Sequence, residues 1–249
     1  VGQSGDRVFL YTTSGAPAGR VMAIDLARPE APWVEVVPER AEPIYDDNHP
    51  MRPTVGLFGD RIAAMYARNG TVLVRAFDLD GRLQVEHEHD GFGSTESGLV
   101  GRADRPVARF DVASMYDRGR AFEVDLHTGD ARVLGEPVVP FTPSEFTLSR
   151  TTYPSFDGTR VPVFLAHCRG LVRDGTHPVL MIDWGHSGLV MRPLYMPSYH
   201  AWLELGGVIA LVGARGGGEF GGAWREAGRG VNKLTSIDDL GACAGWLAS

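Results

Sequence analysis

A weak repeat of strand and turn constrains the fold of the first half of the chain more than any other feature. At three places an apolar run ends in Asp-Leu and continues into a turn, with the aspartates at Asp25, Asp78 and Asp125. Their spacings of 53 and 47 residues fit a repeat of about 40 to 50 residues that holds about four strands, as in a β-propeller blade. The spacing alone leaves a β-sandwich with similar turns as the alternative.

The rest of residues 1 to about 140 has the pattern of short β-strands joined by turns. Apolar and β-branched runs predict strands at 8–12, 20–24, 33–37, 61–67 and 71–77. Asn69-Gly70 separates the last two runs, and Asn-Gly between strands is the strongest short-range hairpin signal. No long stretch of this half has helical periodicity, so we predict that it is all-β.

From about residue 150 the pattern changes to strands that alternate with helices. We predict strands at 161–166, 178–182 and 208–212, and a helix at about 198–205 that ends at Gly206-Gly207. The second and third runs are continuously apolar, as in strands that are buried on both faces. Because of Pro162, we expect the first strand either to lie at a sheet edge or to begin near this proline. The alternation predicts an α/β layer with a parallel sheet.

The last segment of the chain predicts a further helix. Ser236 and Asp239 lie three residues apart, as in a capping box with Asp in place of the usual Glu or Gln, so we expect this helix to begin at Ser236. The apolar residues that follow at helical spacing are expected to form its buried face: Ile237, Leu240, Ala244 and Leu247.

Composition and charge exclude several classes of partner. The chain has 24 basic and 31 acidic residues, a net charge of −7, and no long run of Lys or Arg, so we expect no nucleic-acid partner. No apolar stretch reaches the roughly 18 to 20 residues that cross a bilayer, so we expect no membrane partner. Cys168 and Cys243 are expected to be free, partly buried thiols, which fits a cytoplasmic protein.

The sequence offers few candidates for reactive residues. No segment matches the Gly-x-Ser-x-Gly nucleophile elbow, and Gly185-His186-Ser187-Gly188 has the wrong spacing. The densest set of metal-ligand types, at residues 86–90, lacks the His-Glu-x-x-His spacing. It is interpreted as a solvated acidic strand end or loop, and we expect no metal and no cofactor.

The most unusual segment is Arg215-Gly216-Gly217-Gly218-Glu219-Phe220-Gly221, directly after a buried strand. Glycines after a strand can bind phosphate, but the order Gly-x-Gly-x-x-Gly is missing. We favour a loop whose backbone passes close to other chain segments or takes positive φ. In this interpretation Arg215 and Glu219 form an ion pair that fixes the loop.

Several segments together resemble the prolyl oligopeptidase family of serine peptidases. The first half is similar to late propeller blades of that family, and the segments after residue 150 that carry the resemblance are 153–162, 174–178, 206–208, 215–221, 224, 232–233 and 238–239.

The resemblance implies two domains. Residues 1–145 would be the C-terminal blades of a β-propeller, and residues 146–249 the start of an α/β-hydrolase domain that stops before the nucleophile. The intact protein is then expected to be a monomer that hydrolyses short peptides, after proline or a basic residue, with a catalytic Ser, Asp and His that all lie beyond Ser249. The chain by itself is expected to be inactive, and to aggregate or stay partly unfolded.

The same resemblance implies two site residues within the chain. Trp184 stands where the family has a Tyr whose hydroxyl donates a hydrogen bond to the oxyanion, and an indole N–H is also a donor. The alternative is that Trp184 is a packed aromatic at a strand end. Ser187 stands where the family has an aromatic residue that lines the proline pocket. These departures leave open a second hypothesis, a degenerate homologue that acts as a propeller-type binding module.

Overall fold

The computed structural model describes residues 1–45, 53–135, 137–138, 142–184 and 188–249. The chain divides into two compact units. One contains Val1–Val112 and Gly119–Pro137, and the other contains Ala113–Arg118 and Val138–Ser249. The boundary predicted between residues 145 and 146 remains a prediction.

Within the described residues, the first unit has three four-stranded antiparallel sheets, each with its strands in chain order. The first sheet has β1 to β4: Gly2–Ser4, Arg7–Thr12, Arg20–Asp25 and Val34–Val37. The second has β5 to β8: Val55–Phe58, Arg61–Arg68, Thr71–Phe77 and Leu83–Glu88. The third has β9 to β12: Val100–Gly101, Val107–Val112, Arg120–Asp125 and Ala131–Gly135. The strands predicted in this half are confirmed.

The repeated aspartates occupy one structural position in all three sheets, where the third strand turns into the fourth. Asp25 accepts a hydrogen bond from Ala27 N–H at 3.0 Å. Asp78 and Asp125 accept backbone N–H groups in the same way, at 2.8 to 3.1 Å. Each repeat is therefore a four-stranded blade, as in a β-propeller and not a sandwich.

The apolar core of this unit lies between successive blades. One cluster joins the first blade to the second, with Phe9 and Val21 against Leu73 and Phe77. A second cluster joins the second blade to the third. Blades that pack face to face bury the apolar side chains that alternate along each strand.

The predicted hairpin at Asn69-Gly70 is confirmed. Both residues have positive φ, 52° and 89°, and the strands meet at the pair Arg68 and Thr71. A two-residue turn with positive φ at both positions matches the right-handed twist of the strands it joins, which explains the choice of Asn and Gly.

In the described part of the second unit there is one sheet of four strands, with helices beside it. Its elements in chain order are β13 Phe146–Pro154, β14 Arg160–Cys168, β15 Val179–Ile182, α1 Pro197–Glu204, β16 Val208–Val212, α2 Gly222–Ala227 and α3 Lys233–Leu247. The sheet order is β13-β14-β16-β15. Only β15 and β16 are parallel, and the other two pairs are antiparallel. The predicted α1 and β16 are confirmed, whereas the sheet is mixed and not parallel throughout.

Pro162 shows why a proline fits here in an internal strand. β14 lies between β13 and β16, so it is not an edge strand, but Pro162 is its third residue and the pairing with β16 begins at Val163. The Pro162 carbonyl accepts Gly213 N–H at 2.9 Å. The proline nitrogen faces that same side, at the end of the ladder, where a missing donor disrupts little.

The prediction that residues 178–182 are buried on both faces is wrong. β15 is the last strand of the sheet order, with β16 on one side, and Val179 and Leu180 are 40% and 37% exposed. No other strand of the described chain pairs with its free side. A continuous apolar run in such a place leaves a hydrophobic sheet edge.

The predicted start of the last helix is wrong, because α3 begins at Lys233 and Ser236 lies inside it. Its predicted face is confirmed for Leu240 and Leu247, which pack against the core, and wrong for Ile237 and Ala244, which are exposed. The buried side of α3 also includes Ser236, Asp239 and Cys243. Ser236 and Asp239 lie on the buried side because both bind Arg215, which follows β16. Ser236 donates to the Arg215 carbonyl, and Asp239 accepts from its guanidinium.

None of the helices in the described parts of the chain has the length and apolarity that a membrane crossing requires. Both cysteines are free thiols; Cys168 is half-buried and Cys243 is buried, as predicted.

Candidate functional site

A buried arginine organises the end of β16. Arg215 follows the strand by three residues and is 8% exposed. Its guanidinium binds both oxygens of Asp239, at 2.6 and 3.0 Å. It also binds Asp157, in the turn between β13 and β14, at 2.5 Å. One cation therefore ties a sheet turn to α3.

The charges in this cluster stabilise one another. Asp239 is fully buried, whereas Asp157 is exposed over half of its side chain. The hydrogen bonds from Arg215 hold the pKa of Asp157 well below its ordinary value. Those to Asp239, and then to Asp157, raise the pKa of Arg215 further above its ordinary value. Arg215 and Asp157 therefore stay ionised at neutral pH, and the buried Asp239 carboxyl has Arg215 as its ion-pair partner.

Hydroxyl groups complete the cluster. Ser155 donates to Asp239 Oδ1 at 2.5 Å, and Tyr153 donates to the Asp239 carbonyl at 2.9 Å. Ser236 donates to the carbonyls of Arg215 and Gly228. Ser236 and Asp239, which have the spacing of a capping box, thus make tertiary contacts and do not cap the helix. We interpret the cluster as structural.

The glycine loop passes close to other backbone, as predicted. Gly216 and Gly221 have φ of 103° and 78°, and a Cβ on Gly228 would overlap the carbonyl oxygen of Arg215. The N–H groups of Gly216, Gly217 and Gly218 all donate to protein carbonyls. Because those donors are occupied, the loop has no cradle for phosphate.

The predicted ion pair between Arg215 and Glu219 is wrong. Arg215 binds the two aspartates described above, and Glu219 turns the other way. Its Oε1 accepts the backbone N–H of Met191 at 2.6 Å. Burial, reinforced by the nearby Asp183, raises the pKa of Glu219 to about 7. Nothing in the sequence pattern distinguishes a paired Glu from a buried acid at this position.

Trp184 lies two residues after the end of β15 and is 53% exposed. Ser187 and its neighbours 185 and 186 lie outside the described residues. The roles predicted for Trp184 and Ser187 therefore remain predictions. Trp184 nevertheless follows the carboxyl end of a parallel strand, which is where α/β folds place ligand sites.

The acidic segment at residues 86–90 is a structural feature. Glu86 on β8 forms an ion pair with Arg75 on the neighbouring β7, and Glu88 forms one with Arg68 at the end of β6. No group of three possible metal ligands occurs among the described residues. Like charges on one strand are here matched by opposite charges across the sheet.

Together the blades and the opening of an α/β sheet define a propeller-containing hydrolase-like protein. Residues 1–137 match the model of the prolyl oligopeptidase N-terminal β-propeller domain. Residues 195–249 match the model of the prolyl oligopeptidase family. The chain belongs to the prolyl oligopeptidase family.

Known relatives agree with this assignment. The chain is similar to a prolyl endopeptidase of Elizabethkingia meningoseptica, 27% identical over 98% of the chain and 33% of the relative. A prolyl endopeptidase of Elizabethkingia miricola is also 27% identical, over 99% and 34%. The chain thus spans about a third of the length of the curated relatives it matches.

A solved structure from a structural and mechanistic analysis of two prolyl endopeptidases has the same architecture. It superposes with a TM-score of 0.88 at 32% identity and covers 99% of this chain and 35% of that one. The fold predicted from the sequence, partial propeller followed by the start of an α/β-hydrolase domain, is confirmed.

Proposed function

We propose that the protein containing this chain is a serine-type oligopeptidase that hydrolyses short peptides after proline. The observation that carries the proposal is the match of nearly the whole chain to proteins named prolyl endopeptidases, at 32% identity in one solved structure. The unbroken order of blades, glycine loop and α3 supports it.

In this proposal the reaction is acyl transfer. A serine attacks the carbonyl carbon of the scissile bond, a histidine takes its proton and passes it to the leaving amine, and water then releases the acyl group. An aspartate orients the histidine. We place all three residues outside residues 1–249, so the chain alone is expected to be inactive.

Residues 182–188 supply what this chain contributes near the reacting atoms. We assign Trp184 as a donor to the oxyanion through its indole N–H, and Ser187 to the wall of the proline pocket. The 53% exposure of Trp184 supports a role that needs access to a substrate. A single oxyanion donor typically contributes ~10² to 10³ in rate.

The domains have separate tasks in this proposal. Residues 1–145 belong to a propeller that admits only short peptides, and residues 146–249 open the catalytic domain. We propose a cytoplasmic monomer whose partners are its peptide substrates, without nucleic acid or membrane.

The test is an assay of two proteins with a chromogenic peptide that ends in proline. The protein extended to the length of its relatives is expected to release the chromophore, and a serine-reactive phosphonate should stop it. The 249-residue chain should release none. Phosphonate-sensitive turnover by the chain alone, or none by the extended protein, contradicts the proposal.

The second candidate is a degenerate homologue that binds peptides or proteins without chemistry. Trp184 and Ser187 favour it, because they replace a tyrosine and an aromatic residue of the family pattern. The coding sequence after Ser249 discriminates the two: a Gly-x-Ser-x-Gly segment with a later Asp and His supports the peptidase, and an in-frame stop supports the module.

A further inference from the structure

The glycine loop binds the segment that follows Trp184. Gly188 N–H donates to the Gly216 carbonyl at 3.1 Å, and Gly218 N–H donates to the Leu189 carbonyl at 3.0 Å. The Glu219 side chain adds a third bond, from Met191 N–H at 2.6 Å. Residues 188–191 are thus held along their length by residues 216–219.

The glycines make room for the Glu219 side chain. A Cβ on Gly213 would lie 2.7 Å from Glu219 Cγ, and a Cβ on Gly217 would overlap Glu219 Oε2. Real Cβ atoms do not approach other heavy atoms so closely, so both positions exclude a side chain while Glu219 keeps this rotamer. The Glu219 side chain therefore packs against the backbone of Gly213 and Gly217.

The charge of Asp183, which directly precedes Trp184, acts on the Glu219 carboxyl. We propose that Glu219 is a positioning residue for the loop that carries Trp184, because its carboxyl group fixes Met191 while the glycine loop fixes Gly188 and Leu189. This inference rests on the proposed role of Trp184.

The protonation state of Glu219 bears on this role. Its Oε2 is shielded from solvent and makes no hydrogen bond within the described parts of the chain. Burial and Asp183 favour the neutral acid, while Met191 N–H and Arg150 favour the anion, and the pKa lies at about 7. Near neutral pH the carboxyl therefore exchanges a proton, and its repulsion of Asp183 changes with it.

The activity test uses the extended protein with Glu219→Ala and Glu219→Gln. Alanine removes the acceptor for Met191, and misplacement of a donor near the reacting atoms is expected to lower kcat ~10- to 100-fold with KM changed less than about 3-fold. Glutamine keeps a neutral acceptor and should restore kcat to within about 3-fold. The matched control Glu226→Ala, at an exposed site on α2, should leave both constants unchanged.

A second readout does not depend on activity. The fluorescence due to Trp184, taken as the difference from Trp184→Phe in each background, should titrate near pH 7 in the parent protein and be flat in Glu219→Gln. If no variant hydrolyses peptides, the proposed function fails, and this titration still tests the inference.

Three results would overturn the inference: a Trp184 signal that titrates identically in Glu219→Gln, one that does not titrate in the parent, or an unchanged kcat in Glu219→Ala. If Glu219→Ala does not fold, the comparison of parent and Glu219→Gln decides alone.

Discussion

Arg215 joins the turn between β13 and β14 to α3 through one guanidinium. Its removal would leave the buried Asp239 without a counterion, and the exposed Asp157 without its partner. Uncompensated buried charge is among the largest single costs in a protein. Asp239, at 0% exposed, depends on Arg215 more than the exposed Asp157 does.

We therefore predict that Arg215→Met lowers the free energy of unfolding by about 3 to 5 kcal/mol. Asp239→Asn should cost more than Asp157→Asn, because solvent can replace the partner of Asp157. Urea unfolding of the extended protein measures all three. The control Arg229→Met removes an exposed ion pair with Glu226 and should change stability by less than about 1 kcal/mol; equal effects of Arg215 and Arg229 would refute the prediction.

Glu219 gives stability a distinct pH dependence. Its pKa is about 7 in the folded protein against an ordinary value of 4.5, so the folded state holds a proton that the unfolded state releases. Stability from this group is complete below about pH 4.5, falls as the pH rises to about 7, and is constant above it. The total change is about 3 kcal/mol.

Glu219→Gln removes this dependence because glutamine stays neutral. The stability of Glu219→Gln relative to the parent should rise by about 2.5 kcal/mol between pH 5 and pH 8. Urea midpoints measured at both pH values test it, with Glu226→Gln as a control whose difference from the parent stays constant. A constant difference for Glu219→Gln as well would show that the acid is not buried as described.

Among the elements, the C-terminal end of α2 requires glycine for steric reasons at Gly228. Gly228 has an ordinary negative φ of −124°, so backbone strain is not the issue. Its missing Cβ lets the backbone of α2's C-terminal end lie on the Arg215 carbonyl. Gly245, in α3, has open space around it.

This contrast predicts opposite effects for two glycine-to-alanine changes. Gly228→Ala should destabilise the protein by at least ~1 to 3 kcal/mol, the cost of an overpacked site. Gly245→Ala should stabilise it by about 0.5 to 1 kcal/mol, because alanine is the better helix former. Thermal unfolding of the two variants measures the difference, and a neutral Gly228→Ala would argue against the close approach.

Local patterns predicted most elements of this protein and failed where tertiary contacts decide. The Asn69-Gly70 turn and the blade aspartates follow from local backbone chemistry, so their sequence signals were sufficient. The Ser236 signal is the same as that of a helix cap, but its hydroxyl binds the carbonyl of Arg215, which is 21 residues away. No local window contains that partner.

The candidate site was predictable only in part for the same reason. The run of glycines predicted a loop that passes close to other backbone, and the structure confirms it. The direction in which Glu219 points depends on Met191, 28 residues earlier, so the sequence alone suggested the nearer Arg215. The continuous apolar run of β15 likewise predicts a strand buried on both faces. The pattern does not tell whether other elements lie beside the strand, and here Val179 and Leu180 are exposed.

For the whole chain, the exposed edge of β15 predicts self-association. Val179 and Leu180 present apolar side chains on a strand with an open side within the described residues, and such edges pair with other chains. The 249-residue chain expressed alone should therefore scatter light as aggregates. Leu180→Lys should reduce the scattering, whereas Leu205→Lys, at an exposed helix end, should not. A soluble monomer with a sharp cooperative melt would contradict this.

If this chain comprises propeller blades and the opening of a peptidase domain, the nucleophile lies outside residues 1–249. Mass-spectrometric mapping of a serine-reactive phosphonate on the extended protein tests this. We expect one modified serine, within a Gly-x-Ser-x-Gly segment after Ser249. Modification of a serine within residues 1–249, Ser187 included, would contradict it.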